Sequence, residues 1–207
     1  MGLFKVIEDG NSQVAILKVT ETEQELKELT GIDLTNSYTF PRRRIERMVT
    51  RAILDRLNHF EPVNYHPNGR PYYYEGNPYI SISHAAKLVV VGFCQKMCIG
   101  VDVECTNRDF RIVADRYLTP KELEWCDLDH QKSLALAWCV KESVYKLPWK
   151  LAKNFTNDIN ISKFTNPADS GTINVEVVDL NETHQLDLKY QFFDEFCISW
   201  VISTDIF

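Results

Sequence analysis

Two short segments contain carboxylates and lysines at spacings that could bind a metal ion and phosphate groups. The first segment has Asp102 and Glu104 at i and i+2, and the second has Glu142 flanked by Lys141 and Lys146. Hard divalent cations such as Mg²⁺ prefer carboxylate oxygens and keep waters or substrate phosphates in their remaining positions. The two segments could therefore form one site for Mg²⁺ and a phosphorylated substrate.

The first acidic pair belongs to a predicted β-strand. The runs 87–93 and 97–104 are rich in β-branched residues, which favours two strands, and we expect a hairpin between them. Because side chains alternate on a strand, Asp102 and Glu104 share one face, and Gly100 on that face leaves room for a ligand. The alternative is an ordinary strand with a solvated acidic face.

The second acidic segment belongs to a predicted helix. Residues 134–147 are rich in Ala and Leu, and Pro148 ends the helix. Apolar residues cover nearly every side of this helix, so its charges are costly unless they are paired or used. Glu142 and Lys146 could form only an i,i+4 surface pair, or Glu142 could join the two strand carboxylates around a metal ion.

Together these segments resemble the signature pair of the 4′-phosphopantetheinyl transferases. The matching residues are Gly-Val-Asp-Val-Glu at 100–104 and Trp-Cys-x-Lys-Glu-Ser-x-x-Lys at 138–146. A third element agrees, because Asn-Gly-Arg-Pro at 68–71 and Ile-Ser-Ile-Ser-His at 80–84 resemble the Gly-Lys-Pro and Ser-His stretch ahead of the acidic strand in that family. The three motifs follow one another in the order of the family.

The resemblance implies transfer of the 4′-phosphopantetheine arm of coenzyme A to a serine hydroxyl of an apo acyl carrier protein or peptidyl carrier protein, with release of 3′,5′-ADP. Asp102, Glu104 and Glu142 would bind Mg²⁺. Lys146 would stabilise the leaving or bridging oxygen, and Lys141 would hold a phosphate. The serine proton would pass to Glu142 or to a metal-bound water, and both acceptors stay open. The alternative function is a catalytically weak homologue that only binds coenzyme A or a carrier protein.

The resemblance also assigns three residues ahead of the acidic strand to coenzyme A. Ser83 and His84, at the end of a predicted strand, would contact phosphate or the adenosine part. His84 could also act in catalysis, by proton transfer or charge stabilisation. Arg70 stands where the family commonly has lysine and would lie along the nucleotide, with the same charge but a different geometry.

A cluster of arginines opens a predicted helix at Pro41, where proline suits the first turn. Three adjacent arginines there oppose the helix dipole. We expect Arg42 or Arg43 to bind the 3′-phosphate of coenzyme A, although the register within the triplet stays open. A solvated basic face, or contact with the acidic helix of a carrier protein, is the alternative.

Composition limits the class of protein. The chain has 207 residues and a net charge of −6, which argues against broad nucleic-acid binding. The N-terminus does not resemble a signal peptide and no apolar run approaches the ~20 residues of a membrane span, so we expect a cytoplasmic protein. The six cysteines form no Cys-x-x-Cys pair, which argues against a zinc site.

Each half of the chain is predicted to contain an early strand, a long helix and then a set of strands. Four strands are expected after residue 158, at 159–164, 172–178, 186–193 and 195–203. The resemblance implies two similar α+β subdomains, 1–96 and 97–207, in a pseudo-two-fold arrangement with coenzyme A in the cleft between them. The length fits the larger, monomeric type of the family.

Overall fold

The chain forms a four-stranded and a five-stranded antiparallel sheet, each with helices packed on its outer face, and a small two-stranded sheet. The computed structural model describes residues 2–74, 78–148, 153–179 and 182–204. The helices are α1 (Glu23–Thr30), α2 (Pro41–Arg56), α3 (Pro120–Trp125) and α4 (Gln131–Tyr145), with a short 3₁₀ helix at Arg111–Arg116. The strands are β1 (Phe4–Asp9), β2 (Ser12–Lys18), β3 (Asn64–Tyr65), β4 (Pro71–Tyr72), β5 (Tyr79–Ala85), β6 (Leu88–Cys94), β7 (Cys98–Cys105), β8 (Ile159–Ile161), β9 (Ser170–Asp179), β10 (Glu182–Phe193) and β11 (Phe196–Ser203).

The helices begin at signals that the sequence contains. Pro41 occupies the first turn of α2, and Thr119 with Glu122 forms a capping box at the start of α3. α4 is buried along most of its length, as its apolar composition predicts. Within the described ranges, each helix is too short or too polar to span a bilayer.

The first sheet has the strand order β1-β2-β6-β5 and packs against α1 and α2. The apolar face of α2 supplies Met48, Val49 and Ile53 to this core, at the helical spacing seen in the sequence. The second sheet has the order β7-β11-β10-β9-β8 and packs against α4, which buries Leu134, Val140 and other residues. The protein is therefore α+β, with one long helix on each sheet.

The inner faces of the two sheets pack against each other. Alternate residues of β2, β6, β7 and β11 form this third core, in which Val101 and Trp200 belong to the second sheet. Asp9 at the end of β1 accepts hydrogen bonds from Lys189 Nζ at 2.5 Å and Trp200 Nε1 at 2.9 Å. These contacts join the first hairpin to the second sheet.

One local prediction is wrong: β6 and β7 do not form a hairpin. β6 is paired on both edges by β2 and β5, so it has no free edge for the next strand. The chain instead crosses to the second sheet between Cys94 and Cys98, where β7 pairs with β11. The crossing lies beside the boundary expected at residue 96, and the division into two similar subdomains stays a prediction.

Candidate functional site

The acidic face of β7 lies under α4. Ile99, Val101 and Val103 point into the core between the sheets, as the alternation predicts. Asp102 and Glu104 therefore lie on the opposite face, the one that carries α4 and its Glu142.

Asp102 is the most enclosed of the three carboxylates. Its side chain is 5% exposed, and its Oδ1 accepts hydrogen bonds from Ser83 Oγ at 2.6 Å and Lys146 Nζ at 2.7 Å. Lys146 Nζ also donates to the Val101 carbonyl at 3.0 Å. The other oxygen, Oδ2, is buried and has no hydrogen-bond partner among the described residues. Oδ1 of Asp102 is thus held by two hydrogen bonds, whereas Oδ2 can still accept a hydrogen bond or bind a cation.

Glu104 lies two residues further along the same face. Its Oε1 accepts a hydrogen bond from Trp138 Nε1 at 2.9 Å, and Arg108 Nη1 lies 3.3 Å from both carboxylate oxygens. Burial raises the pKa of Glu104, the charge of Asp102 acts in the same direction, and Arg108 opposes both. The predicted alternative of a solvated acidic face does not fit these contacts.

Glu142 reaches the same site from α4 and lines a cavity of about 420 Å³. The pKa of Glu142 is raised to about 7, mainly by burial and also by the charges of Asp102 and Glu104, while Lys146 and Arg108 oppose the rise. These three carboxylates therefore interact with one another, as the sequence analysis expected.

The role expected for Gly100 was wrong. It faces α4, and a Cβ atom at this position would lie 2.0 Å from the Ser143 carbonyl oxygen. Glycine is needed here because the backbones of β7 and α4 approach closely, so the residue leaves no room for a ligand. This close approach brings Glu142 over the acidic pair.

The three carboxylates fit a hard cation by their chemistry. Within the described residues, no three His, Cys, Asp or Glu side chains are already arranged to hold a metal ion; Asp102 is paired with Lys146, and Glu104 with Arg108. However, Oδ2 of Asp102 is a buried acceptor without a partner in the described part of the chain, and burial, together with the charges of neighbouring carboxylates, raises the pKa values of Glu142 and Glu104. A divalent cation would relieve both features.

Serine hydroxyls join β5 to the free edge of β7. Val101 N–H donates to Ser81 Oγ at 3.0 Å, and Val103 N–H donates to Ser83 Oγ at 3.3 Å. Ser83 in turn donates to Asp102, so the structure places this predicted coenzyme A residue against the acidic site and buries it at 5% exposure. Ser81 belongs to the 80–84 motif, but no role was predicted for it from the sequence.

Arg70 lines the same cavity as Glu142 and Lys146. It follows a tight turn in which Gly69 has a φ of 86°, a conformation that favours glycine. Burial lowers the pKa of the Arg70 guanidinium. The cavity is therefore basic on the side of the β3–β4 turn and both acidic and basic on the side of α4.

The arginine triplet divides into two groups. Arg44 is 12% exposed and is paired with Glu23 at 2.7 Å, so it fastens α2 to α1. Arg42 and Arg43 are 68% and 60% exposed, and both contact Glu46. Arg42 and Arg43 therefore remain the candidates for a phosphate contact, as the sequence favoured, and Arg44 does not.

His84 lies beside this exposed pair. Its Nε2 is 2.8 Å from Glu46 Oε1, in a cavity of about 300 Å³ that Arg42 also lines. Burial lowers the pKa of His84, Glu46 opposes that effect, and the charges of Arg42, Arg43 and Lys146 lower it further. His84 thus contacts the carboxylate that also binds the arginines, and the residue before it, Ser83, contacts Asp102. Nothing in the sequence pattern singled out Glu46.

The prediction that Lys141 holds a phosphate does not fit this structure. Its side chain is fully buried, and Nζ donates to Glu122 at 2.6 Å and to the carbonyls of Phe155 at 2.7 Å and Ile159 at 2.8 Å. These three bonds use all the protons of the ammonium group. Lys141 therefore fastens α4 to α3 and to the backbone at the beginning of β8.

Comparison with known families agrees with this site. A family model described as the 4′-phosphopantetheinyl transferase superfamily matches residues 98–201. The matched region includes Asp102, Glu104, Glu142 and Lys146, whereas the predicted coenzyme A residues from Arg42 to His84 lie outside it. No curated protein matches the chain. Since the family model covers half of the chain, the protein belongs to the 4′-phosphopantetheinyl transferase superfamily.

Proposed function

We propose that this protein transfers the 4′-phosphopantetheine arm of coenzyme A to a serine hydroxyl of an apo carrier protein in a Mg²⁺-dependent reaction. The observation that carries the proposal is the site at which Asp102, Glu104, Glu142 and Lys146 meet beside an open cavity. In the reaction, the serine oxygen forms a bond to the phosphorus that bears pantetheine. The bond from that phosphorus to 3′,5′-ADP breaks, and 3′,5′-ADP leaves.

Asp102, Glu104 and Glu142 are the proposed Mg²⁺ ligands. The unpartnered, buried Oδ2 of Asp102 supports this role. When bound, the metal ion would neutralise charge on the pyrophosphate oxygens, as divalent cations do in other phosphoryl transfers.

Basic side chains on both sides of the site bind the phosphates in this proposal. Lys146 is 26% exposed, so its ammonium group can contact a phosphate while Asp102 holds it in position. Arg70 follows the nucleotide, and His84 with Arg42 or Arg43 binds the phosphate at the adenosine end. Positioning and charge stabilisation provide most of the rate enhancement in such reactions.

The serine proton passes to Glu142 in this proposal. Glu142 lines the cavity, so one of its carboxylate oxygens can face the serine hydroxyl and accept its proton. The other acceptor that the sequence left open is a water on the metal ion. If that water accepts the proton, a Glu142 variant should regain activity once its metal binding is restored.

The partner is an apo acyl carrier protein or peptidyl carrier protein, and the protein acts as a monomer. Support for the monomer comes from the cavity, which is lined by Arg70 and Ser81 from the first half and by Glu142 and Lys146 from the second. These lining residues all belong to one chain, as a monomeric enzyme requires. The intact carboxylates also argue against the catalytically weak homologue.

Intact-protein mass spectrometry of an apo carrier protein tests the function. Incubation with this protein, coenzyme A and Mg²⁺ should add one phosphopantetheine group, about 340 Da, to an acyl or a peptidyl carrier protein. Glu142→Gln and Asp102→Asn should abolish the gain, whereas Glu182→Gln, at an 81% exposed side chain, should retain it. No mass gain with either carrier, despite coenzyme A binding, would support the weak homologue instead.

A further inference from the structure

Glu46 connects the residues that we assign to one phosphate of coenzyme A. Its side chain is 13% exposed and its Oε1 accepts a hydrogen bond from Arg42 Nε at 2.9 Å and lies 2.8 Å from His84 Nε2. Its Oε2 lies 3.6 Å from Arg43 Nη1. One enclosed carboxylate therefore contacts three groups that could bind a phosphate.

A carboxylate beside a phosphate subsite is unfavourable for binding unless it has a compensating role, because the two negative groups repel each other. Arg42 and Arg43 have 68% and 60% exposed side chains, and long exposed side chains lose conformational freedom when a ligand orders them. Glu46 orders these arginines before any ligand arrives. Preorganisation of this kind increases affinity when the ordered groups keep donors available for the ligand.

Donors remain available on the exposed arginine. Arg42 uses Nε for Glu46, and its two terminal nitrogens have no partner among the described residues. Guanidinium groups bind phosphate through pairs of parallel N–H donors, and the terminal nitrogens supply such donors. Glu46 thus binds Nε of the Arg42 guanidinium group and leaves the two terminal nitrogens available to a phosphate.

We propose that Glu46 is a positioning residue that orients Arg42, Arg43 and His84 to bind the 3′-phosphate of coenzyme A. The inference rests on the proposed function, since it assumes that coenzyme A is the substrate. It goes further by making recognition of the 3′-phosphate depend on an acidic residue.

Binding of two ligands that differ by one phosphate tests this role. Isothermal titration calorimetry would measure the dissociation constants of coenzyme A and 3′-dephospho-coenzyme A for the wild type and for Glu46→Gln. We expect Glu46→Gln to weaken coenzyme A binding about tenfold and 3′-dephospho-coenzyme A binding less than about twofold. Glu46→Asp, which keeps the charge but is shorter, should lose discrimination between the two ligands as well.

Glu23→Gln is the matched control. It breaks the Arg–Glu pair of Arg44 in the same triplet, outside the contacts of Glu46, so it should leave the ratio of the two dissociation constants unchanged. Equal weakening of both ligands by Glu46→Gln would indicate a purely structural role and overturn the inference. Tighter binding of coenzyme A would overturn it too, because repulsion would then dominate. A wild type that binds neither ligand would instead reject the proposed function itself.

Discussion

Glu142 is a carboxyl group whose ionisation opposes folding. Burial and the charges of Asp102 and Glu104 raise its pKa to about 7 from an ordinary value of 4.5. A carboxyl group with a raised folded-state pKa costs no stability below its unfolded pKa, and the cost is complete above its folded pKa. The contribution of Glu142 to the stability of the metal-free protein should therefore become less favourable as the pH rises from about 4.5 to about 7.

We predict that Glu142→Gln removes this pH dependence. In EDTA, the wild type should lose on the order of 1–3 kcal/mol of unfolding free energy relative to the variant between about pH 5 and about pH 8. Urea unfolding at several pH values would measure the difference. Glu182→Gln, at an exposed position, should follow the wild type. Parallel pH profiles for the wild type and Glu142→Gln would contradict the prediction.

Substitutions of the two lysines in the second motif should affect stability and activity differently. Lys141→Met leaves the buried Glu122 without its cation, which should cost about 3–5 kcal/mol of unfolding free energy. Lys146→Met leaves Asp102 with its Ser83 hydrogen bond, so we expect a loss of only about 1–2 kcal/mol. Phosphopantetheine transfer, measured on folded protein, should nearly disappear in Lys146→Met and persist in Lys141→Met. The reverse pattern would support the original prediction that Lys141 binds a phosphate.

At the scale of the elements, the distance between α4 and β7 sets the position of Glu142 over the acidic pair. Gly100→Ala would place a Cβ atom 2.0 Å from the Ser143 carbonyl oxygen, and backbone cannot move aside as a side chain can. We predict a loss of about 3 kcal/mol of unfolding free energy and weaker Mg²⁺-dependent binding of coenzyme A. Thermal unfolding with and without both ligands would measure the two effects.

Gly171→Ala, on β9, is the control for Gly100→Ala. Its Cβ would meet the Tyr190 hydroxyl at 2.8 Å, at the far end of a side chain that can shift, so the loss should be smaller and the ligand response unchanged. A similar loss in both variants would show that the closeness of α4 and β7 has no special importance for the site.

The same elements show what the sequence could and could not predict. The alternation of β7 predicted that Asp102 and Glu104 share the face opposite the core residues, because that pattern is local. The pairing of β6 could not be predicted in this way, since β6 forms a tight hairpin with the preceding β5 and its other edge pairs with β2, which is far away in the sequence. The role of Lys141 failed for a similar reason, because its partner Glu122 lies on another helix. The family resemblance located the acidic triad but gave no sign of Glu46.

At the scale of the whole molecule, the site depends on how the two sheets are joined. Ser81 and Ser83 on β5 accept hydrogen bonds from the edge of β7, and the hairpin of β1 and β2 contacts the second sheet through Asp9. The cavity is consequently lined by side chains from both halves of one chain. In a protein that shared its site between two subunits, these halves would come from different chains.

Mixing two inactive variants tests whether one chain forms the complete site. One variant carries Arg42→Ala and His84→Ala in the first half, and the other carries Glu142→Gln in the second. If each chain forms its own site, the mixture should show no more transfer than the two variants measured separately, even after partial unfolding and refolding together. A dimer that shares its sites would recover about a quarter of the wild-type activity, because half of its sites in mixed dimers would contain only intact residues. Light scattering during size-exclusion chromatography should give a mass near the 24.1 kDa of one chain, which independently excludes shared sites.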